Sequence, residues 1–143
     1  MNLELDVKVV TSEEEMNDAY SVRRKVFIEE QQVPEEIEID EREKEATHFI
    51  VYDNHTPVGA GRLRYDGDYA KVERVCVIKS LRKKGVGEQL MAKMESTAKE
   101  HVSQIKLNAQ THAEPFYLKL GYETVSDVFY DAGIAHVTMT KGI

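Results

Sequence analysis

Val75-Cys76-Val77-Ile78-Lys79-Ser80-Leu81-Arg82-Lys83-Lys84-Gly85-Val86-Gly87-Glu88-Gln89-Leu90-Met91 decides the reading of this chain, because a β-branched strand runs through a basic, glycine-containing turn into an amphipathic helix. A helix start presents unpaired backbone N–H groups and the positive end of the helix dipole, both suited to an anion. Arg82, Lys83 and Lys84 add positive charge there, and Gly85 and Gly87 are expected to let phosphate oxygens approach the main chain. The segment has neither the lysine placement of G-x-x-x-x-G-K-[ST] nor the spacing of G-x-G-x-x-G, so it is not one of those nucleotide loops. The expectation is a phosphate cradle, set against the simpler reading of a solvated basic turn.

With 143 residues the chain is long enough to bury a core, and one domain over residues 1–143 is expected. A net charge of -7 and a pI near 5.3 argue against a general nucleic-acid or anionic-membrane binder, which needs a basic footprint. Cys76 is the single cysteine and has no internal disulfide partner. Neither a signal-peptide pattern nor a bilayer-length apolar run is present, so a reducing cytoplasm is the expected location. The five histidines (48, 55, 101, 112 and 136) are scattered, without CxxC or HExxH, and no metal site is expected.

Working outward, Leu3 to Val9 alternates as a half-buried strand. Ser12 with Glu15 forms a capping box for a first helix, on which Met16, Ala19, Tyr20, Arg23, Val26 and Phe27 recur at helical spacing. Residues 29–45 hold nine carboxylates, too many for a core element, and read as a solvated loop. Thr47–Asp53 and Val58–Tyr65 read as a hairpin turned at Asn54-His55-Thr56-Pro57, and a third strand runs from about Tyr69 to Ile78. The helix after the cradle places Val86, Leu90, Met91, Met94 and Ala98 on one face. A strand at Ile105–Ala109 then implies a right-handed crossover to a parallel neighbour. A short helix, Ala113–Leu120, stops at Gly121, and strands near Tyr122–Val125 and Ala135–Thr140 complete a mixed sheet. The class is α/β with a mostly antiparallel central sheet flanked by helices.

R-x-x-G-x-G at Arg82–Gly87, following Glu73-Arg74-Val75-Cys76-Val77, resembles the coenzyme A pyrophosphate loop of the GNAT acyltransferase superfamily. Ala113-Glu114-Pro115-Phe116-Tyr117-Leu118-Lys119-Leu120-Gly121-Tyr122 is similar to that family's A-x-x-F-Y-x-x-x-G-[FY] segment. Arg23 to Asp40, Ala46-Thr47-His48, Gly59 to Arg64 and Asp131 to His136 look like the bacterial ElaA/YjcF-like subgroup. The resemblance implies the GNAT fold, splayed between its fourth and fifth strands to admit pantetheine, and acetyl transfer from acetyl-CoA to an amine, without a metal. Backbone amides of Lys83, Lys84, Gly85, Val86, Gly87 and Glu88, with Arg82, would hold the pyrophosphate. Main-chain groups of Val75, Cys76 and Val77 would pair with pantetheine as an added strand would. Gln110 stands where the superfamily often has asparagine. A homodimer through the final strands is compatible with such a fold.

An amine attacking a thioester must be neutral, the oxyanion needs a donor, and the leaving thiolate benefits from a proton. Tyr117 matches the family's tyrosine and is the expected acid, against the alternative of a packed helix tyrosine. A backbone N–H near Val75–Val77 is the expected oxyanion donor. Glu73, charged within an apolar strand, is the leading base if burial raises its pKa, and otherwise a structural partner of Arg74 or Arg62. Asp40, His48 and His136 are the other candidates, and Asp40 and His48 are expected to border an acceptor pocket that carboxylates make attractive to a cationic amine. Arg23, Arg62, Arg64 and Arg74 each lie in apolar surroundings and require anions. These are internal carboxylates (Glu29, Glu30, Asp40 or Glu73) or, for one or two of the arginines, a carboxylate or phosphate of the substrate. Direct transfer is expected rather than an acyl-Cys76 route. Two rivals remain: an acyl-homoserine lactone synthase, for which the chain is short, and an acetyl-CoA sensor without turnover.

Overall fold

The computed structural model describes residues 3–143. Leu5, Val7 and Val9 alternate along β1 (Leu5–Val9), which pairs antiparallel with β2 (Thr47–Asp53). β2 pairs with β3 (Thr56–Asp66), and β3 with β4 (Tyr69–Val77), as a meander. The β2–β3 turn is tighter than the four residues expected. Asn54 and His55, both at positive φ (47° and 74°), make the whole turn, and Thr56 and Pro57 already pair with Asp53 and Tyr52. Mirror-image two-residue turns match the twist of the strands they join, and asparagine tolerates the left-handed backbone they need.

From β4 the chain passes through a 3₁₀ turn at Lys79–Leu81 into the helix Val86–Lys99, and then into β5 (Gln104–Gln110), which lies parallel to β4. Two helices precede this one: α1 (Glu13–Arg23), extended by a π-helical stretch at Arg24–Glu30, and the four-residue α2 (Glu35–Glu38). The Val86–Lys99 helix is therefore α3. After it come α4 (Glu114–Lys119), β6 (Glu123–Thr124), β7 (Phe129–Asp131) and β8 (Ile134–Gly142). The strand order is β1-β2-β3-β4-β5-β8-β6, with β7 also beside β8, and β4–β5 is the parallel pair. β7 was not expected from the sequence. It is three residues long, and its signal is the Ala132-Gly133 turn, both residues at positive φ.

The two faces of the sheet carry separate apolar clusters. On one face Val86, Leu90, Met91, Met94 and Ala98 of α3 pack on Phe49, Leu63, Val72, Ile105 and Met139. On the other, Ala19 and Val22 of α1 and Val26 of its π-helical extension pack on Ile50, Ala60 and Cys76. Ser12 Oγ accepts from Glu15 N (3.1 Å), and the Glu15 carboxylate reaches back to Thr11 N (2.8 Å), one residue beyond the standard capping box.

Parallel pairing of β4 with β5 covers Ala70–Val72 against Ile105–Leu107 and stops there. Beyond this point the strands part, leaving a cleft between Glu73–Val77 and Asn108–Gln110. α3 approaches β3 closely at Gly61, where an added Cβ would stand 2.8 Å from Met94 Sδ and 3.1 Å from its Cε. Met94 is fully buried, so its thioether end must repack against its neighbours to admit the methyl. Gly61→Ala is expected to lower stability by about 1–3 kcal/mol in denaturant unfolding, the usual cost of overpacking. Gly142→Ala, with open space around the new methyl, is the control and should leave the midpoint unchanged.

Candidate active site

The cradle forms at the end of β4, where Lys83 (φ 65°) and Gly85 (φ 90°) curl the chain through the left-handed region into α3. No side chain caps the start of α3, so the helix amides face outward beside the exposed Lys83 and Lys84. Two residues of this segment also have structural partners. Arg82 Nε donates to Val77 O (3.0 Å), and its two terminal nitrogens grip Glu30 (2.6 Å each) at the end of the π-helical stretch. Gly87 lies against α4, where a Cβ would stand 3.0 Å from Phe116 Cζ, so packing also requires it to be small.

Upstream, β4 carries a bulge. Ala60 faces Cys76 and Arg62 faces Glu73, so Arg74 and Val75 together oppose Gly61. Arg74 absorbs the extra residue at φ 59°. Ile78 N donates to Val58 O, and by the alternation of a strand the N–H groups of Val75 and Val77 turn to the other side, toward the cleft that β5 has left. Cys76 turns its thiol into the α1 cluster, 3.8 Å from Ala60 O, where burial pushes its pKa up to about 12. Such a thiol is a poor nucleophile at neutral pH.

Beneath the cleft lies a buried ion network that corrects the solvated-loop expectation for residues 29–45. Arg23 binds Glu38 (2.8 Å) and Glu43 (2.7 and 2.9 Å), all three withdrawn from solvent. Arg62 binds Asp40 (2.7 Å), Glu43 (3.0 Å) and Glu73 (2.9 Å). Arg64 adds a 2.7 Å bond to Glu73, with Lys71 at 3.7 Å. Glu38 and Glu43 were not singled out from the sequence. Their only signal was the number of arginines in apolar positions, each needing an anion.

The network also overturns the expectation that burial raises the Glu73 pKa. Burial does push it up, but Arg64, Arg62 and Lys71 outweigh that and hold the carboxyl below its ordinary range. The partner is Arg62, as one reading had it, together with Arg64 in place of Arg74. Asp40 is likewise lowered, burial being outweighed by Arg62 and the Arg42 amide. His48 is buried, its Nε2 2.7 Å from Glu43 O, and burial lowers its pKa, so it is neutral at pH 7 and donates to that carbonyl. Arg74 rests mainly on carbonyls, Glu38 O and Ile37 O at 3.1 Å each. Among the described residues, Glu38 Oε2 is the fully enclosed side-chain oxygen left without a partner.

On the far side of the cleft Tyr117 is buried, its ring edge-on to Phe116 and Tyr122. Burial pushes its pKa above the ordinary phenol range, and no hydrogen-bonding partner contributes to that shift. Gln110, at the end of β5, exchanges two hydrogen bonds with Gln31 (2.8 and 3.2 Å), and His112 Nε2 lies 2.6 Å from its Oε1. Gln31 carried no recognisable signal in the sequence. His136 faces Gln110 in register, stacks on Phe129 and donates Nδ1–H to Ile134 O (2.7 Å).

A parallel pair that opens into a cleft, ending at an uncapped and lysine-flanked helix start, defines an acyl-CoA-dependent acyltransferase fold. The acetyltransferase (GNAT) domain family matches residues 8–143, and the chain belongs to that family, whose members use acetyl-CoA as acyl donor. It is an enzyme of the N-acetyltransferase class and of the ElaA/YjcF-like group. The Bacillus subtilis protein named "uncharacterized N-acetyltransferase YjcF" is 50% identical over 135 residues, covering 93% of this chain and 96% of that one. Protein ElaA of Escherichia coli is 33% identical over 128 residues, 85% of this chain and 84% of its own. The crystal structure of Escherichia coli ElaA superposes with a TM-score of 0.83 at 26% identity, covering 98% of this chain and 99% of that one. An aminoglycoside 6'-N-acetyltransferase complexed with coenzyme A shares the fold at TM-score 0.78 and 16% identity, covering 96% of each chain. Among the described residues no helix is long and apolar enough to cross a membrane, and no cluster of His, Cys, Asp or Glu could hold a metal ion.

The network sets a pH dependence. Arg23 holds the Glu43 pKa down to about 2 from an ordinary 4.5 despite burial. A carboxylate depressed in the folded state stabilises the fold fully above its unfolded pKa, and this stabilisation is lost as pH falls through the folded value. Unfolding free energy should therefore decline between about pH 4.5 and 2. Arg23→Met, which takes away the shortest ion pairs of Glu38 and Glu43 and leaves them only Arg74 at 3.5 Å and Arg62 at 3.0 Å, should cost about 3 kcal/mol at pH 7. That deficit should shrink on acidification, as Glu43 protonates; urea unfolding across pH measures both effects.

Proposed function

We propose that this protein moves the acetyl group of acetyl-CoA to the primary amine of a small molecule or peptide, by direct attack in a ternary complex. The observation that carries this reading is the pair of cleft-facing amides, Val75 and Val77, on a strand that runs straight into an uncapped helix start. An extended ligand bearing amides at one end and phosphates at the other fits such a path. The Lys83–Glu88 amides with Lys83 and Lys84 would take the pyrophosphate, and Val75, Cys76 and Val77 the pantetheine. Arg82 acts from behind, tying the cradle to Val77 and Glu30. Acetyl-CoA supplies the activated thioester.

This chain's residues then divide the work. A cleft-facing N–H of Val75 or Val77 stabilises the oxyanion that develops on the thioester carbonyl. Tyr117, kept protonated by burial, donates a hydrogen bond to the departing sulfur; with its pKa raised, stabilisation of the thiolate suits it better than complete proton delivery. Glu73, Asp40 and His48 are committed to the ion network as pinning groups, together with Arg23 and Arg62. His136, whose Nδ1 is held by the Ile134 carbonyl and which pairs with Gln110 at the end of β5, is the remaining candidate proton acceptor for the incoming amine. The inert Cys76 thiol favours direct transfer. The single free cysteine suits a reducing cytoplasm, and the exposed Val125, Val128 and Tyr130 beside the last strands suit a homodimer interface.

Calorimetric titration of acetyl-CoA and CoA should show micromolar binding to the wild type and at least tenfold weaker binding to Lys83→Glu/Lys84→Glu. This variant leaves the Gly87–Phe116 contact intact. Absence of binding to the wild type would remove the proposal, whereas binding without turnover of any amine would make the protein a sensor. Once an amine is turned over, Tyr117→Phe should lower kcat by about 10²-fold, the scale of a lost proton-handling group, with CoA affinity unchanged. Cys76→Ala should retain turnover.

A further inference from the structure

We infer that Arg74 docks a carboxylate of the acceptor, so that the amine acetylated belongs to an amino acid or another carboxylate-bearing amine; this rests on the acetyltransferase reading of the same cleft.

The argument begins with the charges of the network. Five cations, Arg23, Arg62, Arg64, Lys71 and Arg74, pair within 4.0 Å with four carboxylates, Glu38, Asp40, Glu43 and Glu73, while Glu45 acts on Arg64 from further out. Among the four arginines of the network Arg74 is the least compensated. Arg23, Arg62 and Arg64 each have a carboxylate oxygen at 2.7 Å. For Arg74 the nearest carboxylate oxygens are Asp40 Oδ2 at 3.4 Å and Glu38 Oε1 at 3.5 Å. Both already serve other arginines, Asp40 through Arg62 and Glu38 through Arg23.

The guanidinium is aimed as well as undercompensated. Nε and Nη2 are fixed on the backbone carbonyls of Glu38 and Ile37, which orients the planar fork. Nη1 makes no bond among the described residues, yet it is not one of the fully enclosed unpartnered atoms, so solvent reaches it. Burial and the neighbouring Arg62 and Arg23 make the charged form of Arg74 less stable than an ordinary guanidinium, which an added anion would relieve.

Position supplies the link to chemistry. Arg74 is the bulge residue directly before Val75–Val77, so an anion on Nη1 lies beside the strand edge assigned to the thioester end of the cofactor. A monoanion suits this guanidinium better than a phosphate dianion, because the Asp40 and Glu38 carboxylates already lie 3.4 and 3.5 Å away and repel added negative charge. The exposed carboxylates of the same segment, Glu35, Glu36 and Glu41, and the net charge of -7 favour an ammonium group on the same ligand. A zwitterionic amine satisfies both signs.

The test follows the Arg74 Nε–H resonance of isotope-labelled full-length protein, identified by its loss in Arg74→Lys, during titration with acetate as the minimal carboxylate and, separately, with inorganic phosphate. Both titrations are run with and without saturating CoA. A saturable acetate shift, weaker with phosphate, is expected. No saturable acetate shift in either state overturns the inference, and saturation by phosphate alone overturns it in favour of a phosphorylated amine. Failure of CoA to bind would count against the acetyltransferase reading and leaves the acetate result to stand on its own. In an amine panel, kcat/KM should fall at least tenfold when an amino acid is replaced by its amide. Arg74→Gln should abolish that preference while CoA affinity is kept; equal turnover of acid and amide by the wild type would contradict the assignment.

Discussion

A peptide group inside a sheet must give its hydrogen bonds to something, and beyond Val72 the strand β4 no longer has β5 beside it. The cleft-side amides of Val75 and Val77 are left facing open space, while the other edge of the strand stays bonded to β3. Much of the molecule maintains this opening. α3 and α4 fill one face below it, α1 fills the other, and the bulge at Arg74 resets the pleat just before the exposed stretch. The strand then delivers the chain to a helix start whose amides are also unpartnered. Two adjacent sets of unsatisfied donors, one on a strand and one on a helix, form a continuous path for a ligand with amides and phosphates.

The ion network makes the bulge affordable. A non-glycine residue at positive φ is strained, and Arg74 is held there by its bonds to the carbonyls that end α2. α2 is held in turn by Glu38 on Arg23, and the following loop by Asp40 and Glu43 on Arg62. The acidic segment therefore lies folded across the cleft's lower edge and is not free in solvent. Glu30 and Gln31 extend the same principle, tying the end of the π-helical stretch to Arg82 of the cradle and to Gln110 of β5. The start of α3, the π-helical stretch and the end of β5 are thus cross-linked through polar side chains.

Much of the scaffold was legible in the sequence because it rests on periodicity and punctuation. The Val86, Leu90, Met91, Met94 and Ala98 stripe is the buried face of α3, Gly121 ends the α4 region at φ 97°, and the meander strands lie close to where alternation put them. The cradle was legible through its glycine and lysines. What local pattern could not show was pairing at a distance. Glu38 and Glu43 look like any other loop carboxylates until Arg23 and Arg62 are placed under them, and Glu73 looks like a carboxyl raised by burial until Arg62 and Arg64 are placed beside it. Arg82 and Gly87 sit inside a recognisable motif, yet their side-chain surroundings belong to Glu30 and Phe116, far along the chain. The bulge at Arg74 had no signal, since nothing in an arginine marks it for a left-handed backbone.

The central claim, that the edge of β4 abandoned by β5 is where the pantetheine lies, is tested most directly by amide hydrogen exchange at Val75 and Val77 with and without CoA. In the free protein these two amides should exchange much faster than Cys76, which faces β3, and CoA should slow them selectively. Unchanged exchange at Val75 and Val77 under conditions where CoA is demonstrably bound would place the cofactor elsewhere and contradict the account.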